Sequence, residues 1–157
     1  MASEAEEAGL ALKRAGLTLA LAESCTGGGL GADITSVPGS SEFFLGGAVV
    51  YSDRAKESVL GVRRSTLEKY GAVSAETASE MAEGARRLFG SDVAVAVTGI
   101  AGPGGATEGK PVGLVYTAVS VRGRIDVMKH DLSGDRESIR KRSADGALLH
   151  MRTALNN

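Results

Sequence analysis

The sequence predicts an α/β fold, a single-domain three-layer α/β sandwich with a mixed central sheet. Three observations carry this prediction. Short apolar runs alternate with helical patterns over the first hundred residues, the order expected of strands joined by helical crossovers. Two adjacent strand-like runs late in the chain, joined by Arg122-Gly123, read as a hairpin, so the sheet is not all parallel. No internal repeat, low-complexity tract or linker interrupts the 157 residues, a length that suits one sizeable core.

The elements follow in order. Residues 3–14 read as a helix with Ala5, Leu10 and Leu12 among its apolar positions, ended by Gly16. "LTLALA" (17–22) is short and apolar, a buried strand. Residues 27–35 open a second helix, and "VPGSSEFF" (37–44) is turn chemistry followed by aromatics. "GGAVVYS" (46–52) reads as a strand. "DRAKESVLG" (53–61) is a short helix with Asp53 as N-cap candidate and Gly61 as its stop. "RSTLEKYG" (64–71) has capping-box spacing from Ser65 to Glu68. The clearest helix is 74–90, where Ser74 and Thr77 are cap candidates and Ala78, Met81, Ala82, Ala85, Leu88 and Phe89 share one face. "DVAVAVTGI" (92–100) is a buried strand. After a glycine-rich loop, 112–121 and 124–132 form the hairpin, and 134–155 the terminal helix with Ile139, Leu148, Met151 and Leu155 at helical spacing. In such sheets, sites gather beyond the carboxyl ends of strands, which selects the loops 23–28, 51–56 and 98–110.

Composition narrows the function classes. A net charge of −1 argues against bulk binding to nucleic acid or an anionic membrane. The acidic N-terminus lacks the basic and apolar regions of a secretory signal, and no apolar run has membrane-spanning length. The single cysteine, Cys25, rules out an intramolecular disulfide, and a reducing cytoplasm fits best. His130 and His150 lie far apart and no Cys/His pairs have zinc spacing, so no dedicated metal site is expected. Glycine is abundant, 22 residues, and clustered between apolar runs, which suggests tight loops and close backbone approach.

Two nucleotide motifs nearly match. Gly27-x-Gly29-x-x-Ala32 fits the dinucleotide pattern after a strand, with Asp53 as a conceivable ribose acid. Glu-Ser-Cys-Thr intervenes, however, where the first glycine belongs. Gly104-x-x-x-x-Gly109-Lys110-Pro111 resembles a phosphate loop but puts Pro at the magnesium hydroxyl and precedes a strand. Ser24, between an apolar strand and glycines, stands where a nucleophile would be exposed with backbone amides nearby; the same serine, or Thr26, would equally serve as a helix cap. Neither histidine recommends itself as a base. Lys56, desolvated, can serve instead, with Tyr51 as a bridging hydroxyl; a solvated lysine and a half-buried tyrosine are the plainer alternatives. Cys25 reads as a buried inert thiol. The loop 98–113 brings backbone amides toward a phosphate or carboxamide, or is a plain surface loop. Arg136, Arg140 and Arg142 offer phosphate partners, or solvated helix charges.

Taken together, "AESCTGG" (22–28), "VPGSS" (37–41), "YSDRAKESVLGV" (51–62), "YGAVSAETASEMAEGAR" (70–86), "TGIAGPGG" with "KPVGLVY" (98–116) and "GDRESIR" (134–140) resemble the CinA C-terminal domain family over nearly the whole chain. The resemblance implies a stand-alone, metal-free Ser/Lys amidohydrolase in the cytoplasm, needing no cofactor. Its substrate would be nicotinamide mononucleotide, hydrolysed to nicotinate mononucleotide and ammonia in pyridine-nucleotide recycling. The alternative is a non-catalytic nucleotide-binding or interaction module of this competence/damage-inducible family. The resemblance assigns the nucleophile to Ser24, the base to Lys56 and its hydroxyl partner to Tyr51. It places Thr26, Gly27, Gly28, Thr98, Gly99 and Arg140 at the substrate, and it implies a homo-oligomer with no nucleic-acid or membrane partner. Asp53 departs from the family's usual Asn, setting a charge beside the implied site.

Overall fold

The sheet is built outward from one strand, β1 (Leu19–Glu23), in a computed structural model that describes residues 1–157. All five of its residues are buried, as its uninterrupted apolar sequence requires of a strand covered on both faces. It lies between β2 (Phe44–Val49) and β3 (Val93–Gly99), parallel to both. The hairpin strands β4 (Leu114–Val121) and β5 (Arg124–Asp131) continue the sheet antiparallel, giving the order β2-β1-β3-β4-β5. Arg122 and Gly123 both take positive φ, 51° and 92°, the backbone that a two-residue hairpin turn needs to match strand twist.

Helices cover both faces, as the mixed α/β pattern predicts. On one side α1 (Glu4–Ala15), α2 (Gly29–Thr35) and α6 (Arg136–Leu155) bury Leu12, Leu30, Ile139 and Met151 against Leu21, Val95 and Val119. On the other, α3 (Asp53–Leu60), α4 (Arg64–Tyr70) and α5 (Ala75–Phe89) pack on a sheet face of alanines: Ala22, Ala94, Ala96 and Ala118. Small side chains there let α5 sit close to the sheet. Gly84 continues that economy on the outer side of α5: a Cβ at this position would lie 2.0 Å from the Leu60 carbonyl oxygen at the end of α3.

Several element ends differ from the sequence reading, each for a local reason. β1 begins at Leu19 because the amide and hydroxyl of Thr18 donate to the Asp92 carboxylate, and only its carbonyl still accepts from β3, at the Val93 amide. α2 begins at Gly29, not at 27, because Gly27 and Gly28 take left-handed φ of 57° and 101°. Ser52, not Asp53, caps α3, its hydroxyl accepting from the Ala55 amide; Asp53 is the first helical residue. The Ser65–Glu68 capping box does not form, because α4 starts two residues earlier, with Arg63 in the N-cap position. Ser74 caps α5 as expected.

The three parallel strands end on the same edge of the sheet. The chain leaves β1 into α2 on one face and leaves β2 into α3 on the other. Adjacent strands whose connections diverge in this way open a crevice beyond their carboxyl ends.

Candidate active site

That crevice is a cleft of about 180 Å³ lined by residues from all three loops selected from the sequence, among them Ser24, Tyr51, Lys56, Thr98 and Gly99, together with Ala72 and Val73 before α5 and Arg136 on α6. A larger groove of about 520 Å³ lies between α1 and the turn at Val37-Pro38, but its side chains include no nucleophile beside a base.

Ser24 follows the last residue of β1. Its amide still donates to Val97 of β3 at 3.0 Å, so the strand register extends to the residue and fixes its Cα. The hydroxyl then meets Lys56, whose Nζ lies 3.0 Å from Ser24 Oγ. Lys56 sits in the first turn of α3, and its side chain runs inward to end 1% exposed. Two main-chain carbonyls at the end of β2 hold the amine: Val50 O at 2.9 Å and Tyr51 O at 3.0 Å. Burial lowers the Lys56 pKa from its usual 10.5, while the negative charge of Asp53 opposes that shift. A neutral amine has two N–H groups and one lone pair. With the hydrogens on the two carbonyls, the lone pair is left for the serine proton. This is the arrangement a general base requires.

The Tyr51 side chain is mostly exposed, and its hydroxyl accepts from Arg136 Nη2 at 3.2 Å. The residue reaches Lys56 through its carbonyl, not its phenol. Arg136 also donates to Gly102 O at 2.7 Å, which ties α6 to the glycine-rich loop and sets a guanidinium on the cleft rim. Thr98 donates its hydroxyl to Ala72 O at 2.9 Å and so joins the end of β3 to the segment before α5.

Arg140 is placed differently from its neighbour one turn away. It donates to the carbonyls of Cys25 and Thr26, both at 3.1 Å, behind the serine loop. Thr26, Gly27 and Gly28 likewise form the wall behind Ser24: the Thr26 hydroxyl and carbonyl turn to Glu23 and Arg140, and of that residue only the amide donates to no group of the chain. Arg142 donates to Ser133 O. Cys25 is buried, and desolvation pushes its thiol up to about 11, so it carries no thiolate at neutral pH. The two histidines lie elsewhere, joined through the buried Thr117 hydroxyl, with His150 also bonded to Asp126.

Two features escaped the sequence reading. The first is Glu23, buried at the end of β1, whose carboxylate accepts from Thr26 Oγ1 and from the amides of Gly28, Leu30 and Gly31. It occupies the start of α2, where the dinucleotide motif would need a phosphate, and removes that reading. A carboxylate ending an apolar strand just before glycines was the available signal. The second is the distinction among the three arginines: the sequence offers Arg136, Arg140 and Arg142 alike, and only Arg136 lines the cleft. The phosphate-loop match also fails: Thr107 and Lys110 pair across a short turn and no helix follows.

The α/β sheet thus sets a serine hydroxyl at one strand end against a buried lysine amine from the helix after the next strand. The comparisons place the chain within a family: residues 1–155 match the model of the CinA C-terminal domain, and the chain belongs to that family. It is 50% identical over 144 residues to the CinA-like protein of Kosmotoga olearia, covering 92% of this chain and 35% of that one. The chain spans about a third of the length of the curated relatives it matches. Among solved structures, a competence-damaged protein (CinA) superfamily protein from Klebsiella pneumoniae superposes with a TM-score of 0.95 at 36% identity, covering 98% of this chain and 96% of that one. The competence/damage inducible protein CihA from Agrobacterium tumefaciens gives a TM-score of 0.92 at 40% identity, over 100% and 98% of the two chains.

Proposed function

We propose that the chain is an amidohydrolase that cleaves the carboxamide of nicotinamide mononucleotide, releasing ammonia and nicotinate mononucleotide. The observation that carries this reading is the 3.0 Å contact between Lys56 Nζ and Ser24 Oγ, with the amine held on two carbonyls.

In the proposed reaction, Lys56 takes the proton of Ser24 as Oγ attacks the carboxamide carbon. The carbonyl π electrons move to its oxygen, which the Cys25 and Thr26 amides receive. Lys56 then gives its proton to the departing nitrogen, the C–N bond breaks and ammonia leaves. A water attacks the resulting ester, Lys56 takes a proton from it, and Ser24 recovers that proton as the acid is released. Acylation and deacylation each end with the lysine back in the neutral form that burial favours. A cleft of about 180 Å³ takes the carboxamide end of such a substrate and leaves the sugar phosphate on the rim, where Arg136 supplies a cation.

The test is to incubate the chain with nicotinamide mononucleotide and measure ammonia and nicotinate mononucleotide, beside calorimetric titration. Stoichiometric release of both products supports the reading. Tight binding without release rejects it in favour of a non-catalytic nucleotide-binding module.

A further inference from the structure

The loop that carries Ser24 is held from two opposite sides. From the β1 side, the Glu23 carboxylate takes four donors: Thr26 Oγ1 at 2.6 Å, Leu30 N at 2.9 Å and Gly28 N at 3.2 Å on Oε1, and Gly31 N at 2.9 Å on Oε2. From α6, Arg140 takes the two carbonyls of Cys25 and Thr26. The remaining amides of the loop are also engaged: Ser24 N on Val97 O, Gly27 N on Ser24 O and Gly29 N on Thr26 O. Only the amides of Cys25 and Thr26, the first two after the serine, donate to no group of the chain. Backbone donors at and after a nucleophile are the usual makings of an oxyanion hole.

We infer that Glu23 is a positioning residue for catalysis: its carboxylate fixes the 26–31 backbone so that the Cys25 and Thr26 amides face the atom where negative charge develops. The inference rests on the amidohydrolase reading only in requiring Ser24 as a nucleophile, not in requiring any one substrate. The chemistry explains why the position is a glutamate. Both carboxylate oxygens accept, Oε1 from three donors and Oε2 from the Gly31 amide, whereas an amide of the same size offers one oxygen. Gln at 23 would turn its NH₂ toward an amide that needs an acceptor. The burial of Glu23, 3% exposed, leaves no water to substitute. Gly31 is part of the same fit, because a Cβ there would stand 3.3 Å from Glu23 Oε2. Arg140 completes the grip by turning the carbonyls of the same two residues away from the cleft.

Glu23→Gln tests this. One readout is steady-state deamidation of nicotinamide mononucleotide: kcat is expected to fall about 10- to 100-fold with KM within about twofold, since misplacement of donors by a fraction of an ångström to 1 Å acts on the transition state and not on ground-state binding. The second readout does not depend on that substrate. A fluorophosphonate phosphonylates Ser24, forming a P–O bond as fluoride leaves with the P–F pair and the serine proton passes to Lys56; its developing oxyanion uses the same amides. The labelling rate of folded Glu23→Gln is expected to fall about tenfold or more. Ser3→Ala, which removes the cap of α1 far from the cleft, is the stability control and is expected to label at the wild-type rate. Thr26→Val, which removes one of the four donors at similar volume, is expected to give a smaller loss of the same sign and covers the case in which Glu23→Gln does not fold. Wild-type labelling rates in folded Glu23→Gln, or in Thr26→Val where Glu23→Gln does not fold, would overturn the inference. So would a wild-type Ser24 that the probe leaves unlabelled. Normal labelling of the wild type without deamidation, together with slowed labelling of the variant, rejects the proposed substrate and keeps the positioning role.

Discussion

Replacing Lys56 with methionine separates catalysis from stability at the centre of the site. The side chains have similar length, so the buried channel stays filled. What disappears is the lone pair facing Ser24 Oγ at 3.0 Å and the two donors to Val50 O and Tyr51 O. Loss of a positioned general base is worth about 10²–10⁴ in rate. Ammonia release by Lys56→Met should therefore fall by that factor, through kcat, with KM little changed. On stability the effects oppose each other. Leaving two carbonyls dry costs about 1–3 kcal/mol each. Removing an amine whose burial disfavours its charged form acts in the opposite direction. The thermal midpoint near neutral pH should move by only a few degrees. The balance also depends on pH. Because the folded-state pKa of Lys56 lies below 10.5, the unfolded chain binds the proton more tightly, and wild-type stability rises with pH between the folded value and 10.5. Lys56→Met should lose that slope. Steady-state ammonia release and thermal melts at several pH values measure both effects. A variant that keeps more than about a tenth of the wild-type kcat would refute the assignment of the base, whatever its stability.

Three further outcomes are expected. Asp53→Asn removes a charge that holds the Lys56 pKa up, so the acid limb of the kcat–pH profile should move to lower pH; an unmoved or raised limb contradicts this. Arg136→Met should raise KM for the mononucleotide about tenfold and leave the KM of the unphosphorylated nucleoside almost unchanged, since only the phosphate ester offers an anion to the rim guanidinium; equal effects on both would remove Arg136 from that role. Gly84→Ala places a methyl 2.0 Å from the Leu60 carbonyl oxygen, so α5 must move off α3, and denaturant unfolding should show a loss of about 1–3 kcal/mol; an unchanged midpoint would mean that the helices separate freely.

The order of elements was readable because most are punctuated locally. Gly16, Gly61 and Gly90 stop helices in left-handed conformation, the apolar run of β1 is too short for a helix, and that of β3 is also rich in valine. The errors arise where a distant partner overrides a local rule. Thr18 turns its amide and hydroxyl from the strand to Asp92, 74 residues away, and nothing in residues 17–22 announces that. Ser65 and Glu68 have the spacing of a capping box, but the helix they would start had already begun. Ser24 and Lys56 are only candidates from their positions at two strand ends, 32 residues apart, and take their roles from the family resemblance; the contact between them depends on β1 and β2 being neighbours in register, a tertiary fact. The division of labour between Arg136 and Arg140 is also tertiary. Both lie on α6 one turn apart, and only the rotation of that helix over the serine loop sends one to the cleft rim and the other to the loop carbonyls. Tyr51 shows a subtler limit: sequence brings it to Lys56, but the group that meets the amine is its carbonyl.

The central claim is that Ser24 attacks an amide with Lys56 as its base. Its most direct measurement is ammonia release from nicotinamide mononucleotide by wild type and Ser24→Ala side by side, both shown folded by their thermal melts. Clear turnover by the wild type and a loss of at least about 10³-fold in kcat for Ser24→Ala is the predicted result. A Ser24→Ala variant that releases ammonia at the wild-type rate would contradict it.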